Sequence, residues 1–256
     1  MPPTNTEWIL RYLLTAIAAV AIIGAAGAAY FANHESMPGK PGSSTIASSS
    51  AAAASGPESA PAATQVAQAD QPVIGPDEHV LGKADAPVTM IEYASMTCPH
   101  CEHFNAEVMP RIKSEFIDKG LVRFVFRPFP LDGLAYRASM MAQCVPGDGY
   151  FGMIDMLFRS RGEWTTASDQ LAALKQVGRT AGMSSADIER CTADEAVANS
   201  IAAGIKDAQA KFGINSTPSF VVNGKTYTNM PFDDFQEEGT TKPGFGTVIK
   251  ELLPKQ

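Results

Sequence analysis

Basic residues are in short supply. The 256-residue chain carries 20 Lys and Arg against 27 Asp and Glu, a net charge of −7. It has no basic cluster and no Gly-rich phosphate loop, so nothing in its electrostatics calls for nucleic acid or a nucleotide as partner. Cysteine is scarce as well, four in all and every one beyond residue 97. No internal repeat is present. Charge is missing altogether from Tyr12 to Ala32, roughly 21 residues, about the length that spans a bilayer core as a helix.

Two readings fit that uncharged run. One is a retained anchor, its cytoplasmic end marked by Arg11 and the amino terminus. The other is a cleaved signal peptide, whose apolar stretch is usually shorter, about 7–15 residues. Both export everything beyond residue 33. Residues 34–72 lack large apolar side chains almost entirely; Met37–Pro72 is nearly all Ala, Ser, Gly and Pro. Such a segment has too little to bury to offset the entropy of ordering, and is expected to be a flexible linker spanning on the order of 35 Å. The expected organisation is therefore an N-terminal membrane segment at 1–33, a linker at 34–72 and a folded domain at 73–256.

Within that domain, Ala86–Ala94 has the β-branched and aromatic character of a strand. Phe104, Val108, Ile112 and Phe116 recur every four residues as one apolar helical stripe, with Pro110 placed to kink it. Leu121–Phe126 is a second strand. Leu134–Phe212 then reads as helical: Ala135–Cys144, Tyr150–Phe158, a helix capped by Ser168, another capped by Ser184, and a long one presenting Val197, Ile201, Ile205, Ala208 and Phe212. Ser219–Val222 and Lys225–Thr228 flank an Asn223–Gly224 hairpin turn, and Thr247–Leu253 is a last helix. This order describes an α/β sheet with a helical insertion at about 132–212.

The chemistry concentrates in Thr97-Cys98-Pro99-His100-Cys101-Glu102-His103. Cys98 falls where strand turns into helix, so its sulfur faces unpaired N–H groups and the positive end of the helix, both of which favour a thiolate. Pro99 suits the first helical position, where no N–H is needed. His100 can add hydrogen bonding or positive charge. Cys101 lies one turn along, able to close a tight disulfide with Cys98. A stabilised thiolate favours the dithiol, which makes that disulfide oxidising. A metal site is the competing reading, with Cys98, His100, Cys101 and His103 as ligands. It lacks the second ligand pair of a structural zinc site. Haem attachment needs His directly after the second cysteine, where this chain has Glu102. No cofactor is expected, and His103 reads as a solvated helix residue.

Three stretches, Glu92–Cys101, Phe124–Leu131 and Gly213–Lys225, resemble the DsbA-like thiol–disulfide oxidoreductases of the thioredoxin superfamily, with the likeness running from about Val80 to the C-terminus. The resemblance implies a thioredoxin-like fold carrying an inserted helical subdomain, with Cys98 as nucleophile and Cys101 as resolving thiol. It also implies a cis-proline at Pro218, with the backbone of Thr217 pairing to an extended substrate, and a buried acid at Glu92 that exchanges protons with Cys101. The alternative for Glu92 is a strand-edge residue facing water.

The activity so implied is a periplasmic dithiol oxidase acting on reduced exported proteins. A membrane thiol oxidase of the DsbB type would reoxidise it, and the N-terminal helix would tether it to the inner membrane unless the signal is cleaved. An isomerase or reductase of the same fold, or a non-catalytic metal-binding or chaperone-like module, remains open. Cys144 and Cys191 are expected to form a structural disulfide closing a loop of roughly 46 residues, worth about 4 kcal/mol in the chain-entropy model. Two buried free thiols are the other possibility.

Overall fold

The computed structural model describes residues 72–145 and 149–255, all within the unit Ala62–Gln256. The uncharged run at 12–32 and the linker up to residue 71 lie outside the described residues. No helix among those described is long and apolar enough to cross a membrane.

Five strands form the central sheet, in the spatial order β1 (Val80–Leu81), β3 (Val122–Pro128), β2 (Val88–Ala94), β4 (Ser219–Val222) and β5 (Lys225–Thr228). β2 runs parallel to β3 and antiparallel to β4, which sets Glu92 level with Phe126 on one side and Phe220 on the other. β1 and β5 close the two edges antiparallel. The hairpin between β4 and β5 turns at Asn223 and Gly224, both at positive φ (44° and 87°), as an Asn-Gly turn requires.

The parallel pair needs a crossover, and residues 99–117 supply it. α1 (Pro99–His103) runs into a wide π-turn at Phe104–Val108, then α2 (Met109–Ile112) and a second π-turn at Lys113–Ile117. The winding accommodates the apolar repeat of the sequence. An apolar repeat of four drifts by about 40° per step around a helix of 3.6 residues per turn, and wider turns bring the stripe back into line. Phe104, Val108, Ile112 and Phe116 are all buried. The disturbance expected from Pro110, which brings no N–H to the ladder, takes the form of the first π-turn, where Met109 N–H reaches back to the Phe104 carbonyl.

Between β3 and β4 lies the helical insertion: α3 (Gly133–Gln143), α4 (Tyr150–Arg159), α5 (Arg161–Thr165), α6 (Gln170–Thr180), α7 (Ser185–Thr192) and α8 (Glu195–Phe212). Ser184 caps α7 as its spacing predicts, accepting from Asp187 N–H at 3.1 Å. α6 is capped by Asp169, which accepts from Ala172 N–H at 2.9 Å, and not by Ser168. A carboxylate one residue later does the same work more strongly at a helix start. α8 ends at Gly213, whose φ of 65° suits glycine, and Ile214 N–H returns to the Ala208 carbonyl. α9 (Phe245–Leu252) starts two residues before the expected Thr247.

Not foreseen as separate elements were β1, the short helix α5, and a hairpin of β6 (Phe235–Glu237) and β7 (Thr240–Lys242). β1 is two residues long, too short to show alternation. The hairpin is mostly exposed and turns on Glu238–Gly239, outside the Asn-Gly and Asp-Gly pairs that announce such turns.

Strand alternation sorts the core. Met90, Ala94, Phe124, Phe126, Phe220 and Val222 face the crossover helix, α9 and most of the insertion. Ile91, Tyr93, Val125 and Val221 face the other way, against Ala208 of α8 and Ile214. By the same alternation Glu92 points with Met90 and Ala94, under the helix that carries Cys101.

Candidate active site

Cys98 is the N-cap of α1, with extended backbone (φ −77°, ψ 123°) and Pro99 as the first helical residue. Its carbonyl accepts the first intrahelical bond, from Glu102 N–H at 3.1 Å, so its sulfur stands at the mouth of the open N–H groups. Cys98 and Cys101 are free thiols. Cys98 keeps 7% of its surface exposed and Cys101 none, so only one of the two can be reached from solvent.

The two sulfurs are driven apart in acidity. A hydrogen bond from the Cys101 thiol does most to bring Cys98 down from 9.0 to about 5; burial opposes it, and the Thr217 side chain and the backbone N–H groups of Cys101 and His100 assist. Thr217 Oγ1 is buried and makes no hydrogen bond, which leaves that hydroxyl available to the sulfur anion. Burial, first of all, pushes the Cys101 thiol far above its ordinary range, and its bond to Cys98 and the charge of Glu92 add to this. The electrostatic asymmetry expected at a helix tip is therefore present. The means differ: the Cys101 thiol contributes more than the helix-end N–H groups, and His100 acts through its backbone N–H, while its ring is exposed.

Glu92 is 3% exposed, and its Oε1 has no hydrogen-bond partner. Burial raises its pKa well above the ordinary carboxyl value, and the Cys98 charge raises it further. The strand-edge alternative fails because both neighbouring positions, Phe126 and Phe220, are aromatic and buried. Glu92 also lines a cavity of about 370 Å³ whose other residues include Asn105, Lys113, Asp155 and Arg159.

The Thr217–Pro218 peptide bond is cis. It brings the Thr217 carbonyl to the Cys98 thiol, which donates to it at 3.5 Å. A shallow groove of about 200 Å³, lined by His100, His103, Phe104, Pro218, Phe220 and Met230, opens beside this loop. A larger cavity, about 480 Å³, lies elsewhere, between residues 75–79 and α8, and is lined by no cysteine. Among the described residues no three His, Cys, Asp or Glu side chains gather as a metal site would require.

Cys144 and Cys191 are joined by a disulfide, Cα atoms 6.0 Å apart, tying the end of α3 to α7. Cys98, Cys101, Glu92, Thr217 and Pro218 thus meet at one place, and the second cysteine pair belongs to the insertion.

Sequence reading missed the struts around the cysteine turn. Thr97 Oγ1 donates to Asp132 at 2.6 Å, and Asp132 also caps α3 by accepting from Ala135 N–H at 2.7 Å. Ser95 Oγ accepts from Leu131 N–H at 3.3 Å. Arg161 of α5 donates Nε to Glu102 at 2.6 Å and a guanidinium N–H to the Thr97 carbonyl at 3.4 Å. These partners lie 35 to 64 residues apart in the chain, and no local pattern announces them.

The geometry agrees with the comparisons. A family model described as Thioredoxin matches residues 75–238. Disulfide bond formation protein D of Bacillus subtilis is 30% identical over 185 residues, covering 69% of this chain and 78% of that protein. A putative protein-disulfide oxidoreductase of Rickettsia bellii is 26% identical over 152 residues, 59% of each; the chain spans about three-fifths of the length of such Rickettsia relatives. Among solved structures, alpha-DsbA1 of Wolbachia pipientis aligns with a TM-score of 0.59 at 29% identity, over 70% of this chain and 92% of that one. With the two-cysteine helix tip, the cis-proline loop and the helical insertion all in place, the chain belongs to the thioredoxin family, as one of its DsbA-like members.

Proposed function

We propose that this protein is a thiol–disulfide oxidoreductase that works as a dithiol oxidase on exported proteins. The observation that carries the reading is the split between the two sulfurs: Cys98 held as an anion near pH 5 and above, Cys101 buried and held as a thiol. A thiolate so stabilised makes the dithiol the favoured form, and the disulfide correspondingly oxidising.

In the oxidised form a client thiolate attacks the Cys98 sulfur. The Cys98–Cys101 bond breaks, its electron pair leaves on Cys101, and a mixed disulfide joins client and Cys98. Cys101 leaves into a buried pocket and must take a proton; Glu92, whose burial makes its carboxyl hold a proton more tightly than usual and whose charge Cys101 feels, is the donor we assign. A second client thiolate then attacks the client's own bridged sulfur and expels Cys98 as a thiolate. The client has become a disulfide, the enzyme a dithiol. Of the two protons the client gave up, one ends on Cys101 and one in solvent, with Glu92 recharged through the cavity it lines.

The groove beside Pro218 fits an extended client segment, with the Thr217 carbonyl as its backbone partner. Reoxidation then requires an acceptor of two electrons, for which a membrane thiol oxidase of the DsbB type is the candidate. We read Tyr12–Ala32 as a membrane anchor and the following Ala/Ser/Gly/Pro segment as the tether that keeps the domain at the outer face of the cytoplasmic membrane; fractionation of the full chain with membranes is the check.

The deciding measurement is the reduction potential of the Cys98–Cys101 couple against glutathione, with its pH dependence. Above pH 5 the dithiol holds one proton for two electrons, so the potential should fall by about 30 mV per pH unit, steepening to about 59 mV below it. An oxidising potential with that break is expected. A strongly reducing one moves the assignment to a reductase.

A further inference from the structure

The first turn of α1 contains a conflict. Glu102 lies four residues beyond Cys98, its N–H on the Cys98 carbonyl. Both its carboxylate and the Cys98 thiolate draw on the same positive helix end, and as like charges one turn apart they oppose each other. A site built to hold a thiolate gains nothing from a bare carboxylate there.

The helical insertion resolves it. Arg161 reaches across from α5 with Nε on Glu102 Oε2 at 2.6 Å and a second N–H on the Thr97 carbonyl, the peptide that leads into Cys98. The side chains are 21% and 32% exposed, so the pair is less screened than one on open surface. Arg161 is itself firmly held. Its carbonyl accepts from Thr165 Oγ1 at 2.7 Å, and three residues on, Trp164 is buried with Nε1 on the Leu157 carbonyl at 2.9 Å. One guanidinium thus serves two acceptors from a rigid mount, which a lysine ammonium does less well.

We propose that Arg161 is a positioning residue of the redox couple: by neutralising Glu102 and pinning the Thr97 carbonyl, it lets the helical insertion set how firmly the Cys98 sulfur holds negative charge. The other groups facing that sulfur are Cys101 and the His100 backbone N–H on α1, Glu92 on β2, Thr217 before β4, and Asp132 at the start of α3, which acts through Thr97. None of them makes a hydrogen bond to Glu102, so its charge is left to Arg161.

This inference rests on the thiolate reading above, and its test separates the two. The reduced full chain is titrated by the ultraviolet absorbance of the Cys98 thiolate, with thermal unfolding run alongside. Arg161→Gln is expected to raise the thiolate midpoint by roughly half a pH unit, about a threefold change in the thiolate-to-thiol ratio at fixed pH. Glu102→Gln should lower it. Arg161→Gln with Glu102→Gln should return it to near the wild-type value, and Arg161→Lys should fall between wild type and Arg161→Gln. A residue that only braces the fold would change the melting temperature and leave the midpoints alone, and that result overturns the proposal. Should Arg161→Gln not fold, Glu102→Gln alone decides: an unchanged or raised midpoint overturns it. A wild-type midpoint near 8.5 would instead sink the thiolate reading itself.

Discussion

Two cysteine pairs share this chain and are built for opposite ends. Cys98 and Cys101 sit three residues apart at a helix tip, one sulfur reachable, both free. Cys144 and Cys191 sit 47 residues apart, bonded across two helices of the insertion. A short loop adds little by closing; a long one removes much unfolded-state entropy. What distinguishes a redox pair from a staple is therefore the surroundings of each sulfur. The first pair has donors aimed at one sulfur and an apolar pocket around the other, so the reduced form is favoured. The second has only the two helices it joins.

The sharpest way to break that comparison is to remove each pair in turn. Cys98→Ser should abolish disulfide transfer to a reduced peptide, and Cys101→Ala should accumulate mixed disulfides with clients. Replacing Cys144 and Cys191 together by Ala should leave transfer intact while lowering stability by about 2–4 kcal/mol, read from the denaturant midpoint of the oxidised protein. Transfer lost in that double variant would mean that the insertion takes part in the chemistry.

A subtler effect lies in how the reduced protein's stability responds to pH. Cys98 has a depressed folded pKa, about 5 against about 8.5 for a free thiol. Its contribution is therefore fully present above about pH 8.5 and is lost as pH falls toward 5. Glu92 has the opposite sign. Its pKa is raised on folding, so the folded state keeps a proton that the unfolded state gives up, and stability falls as pH rises above about 4.3. Cys98→Ser should erase the rise toward alkaline pH. Glu92→Gln should erase the fall, stabilising the reduced protein at neutral pH while slowing formation of the mixed disulfide about 10²-fold or more, the usual worth of a positioned proton donor. Unfolding curves across pH 4–9 for the three proteins check both signs. A Glu92→Gln variant with unchanged turnover would remove Glu92 from the proton path.

How much of this was legible in the sequence divides along the same line. Local features could be read: Cys98 at a strand-to-helix switch, Pro99 at the first helical position, and the Asn223–Gly224 turn; the burial of Glu92 was implied by the family resemblance, and the phenylalanines that flank it come from neighbouring strands. The groups that tune the site come from far along the chain. Arg161 meets Glu102 across 59 residues and Asp132 meets Thr97 across 35; such pairings depend on how helices pack on the sheet, and no spacing rule encodes them. Cys144 and Cys191 fall between these cases. Their pairing was expected from the compartment assigned to them and needed the packing of α3 against α7 to be placed. The π-winding of the crossover helix was present in the sequence as a repeat of four, but a repeat of four also fits an α-helix that drifts, and only packing against the sheet chooses between them.

The smallest effect gives the finest comparison, between two aspartates that do the same local job. Asp132 caps α3 and Asp169 caps α6, accepting backbone N–H at 2.7 and 2.9 Å. Each, replaced by Ala, should cost about 1 kcal/mol in stability. Only Asp132 has a second contact, the Thr97 hydroxyl at 2.6 Å, one residue from the nucleophile. Asp169→Ala should therefore leave the Cys98 titration unmoved at matched loss of stability, while Asp132→Ala shifts it, because freeing Thr97 loosens the peptide that aims the sulfur at the helix end. Equal titrations in the two variants would mean that Cys98 is positioned by α1 alone. The bracing of the turn from α3 would then be structural only.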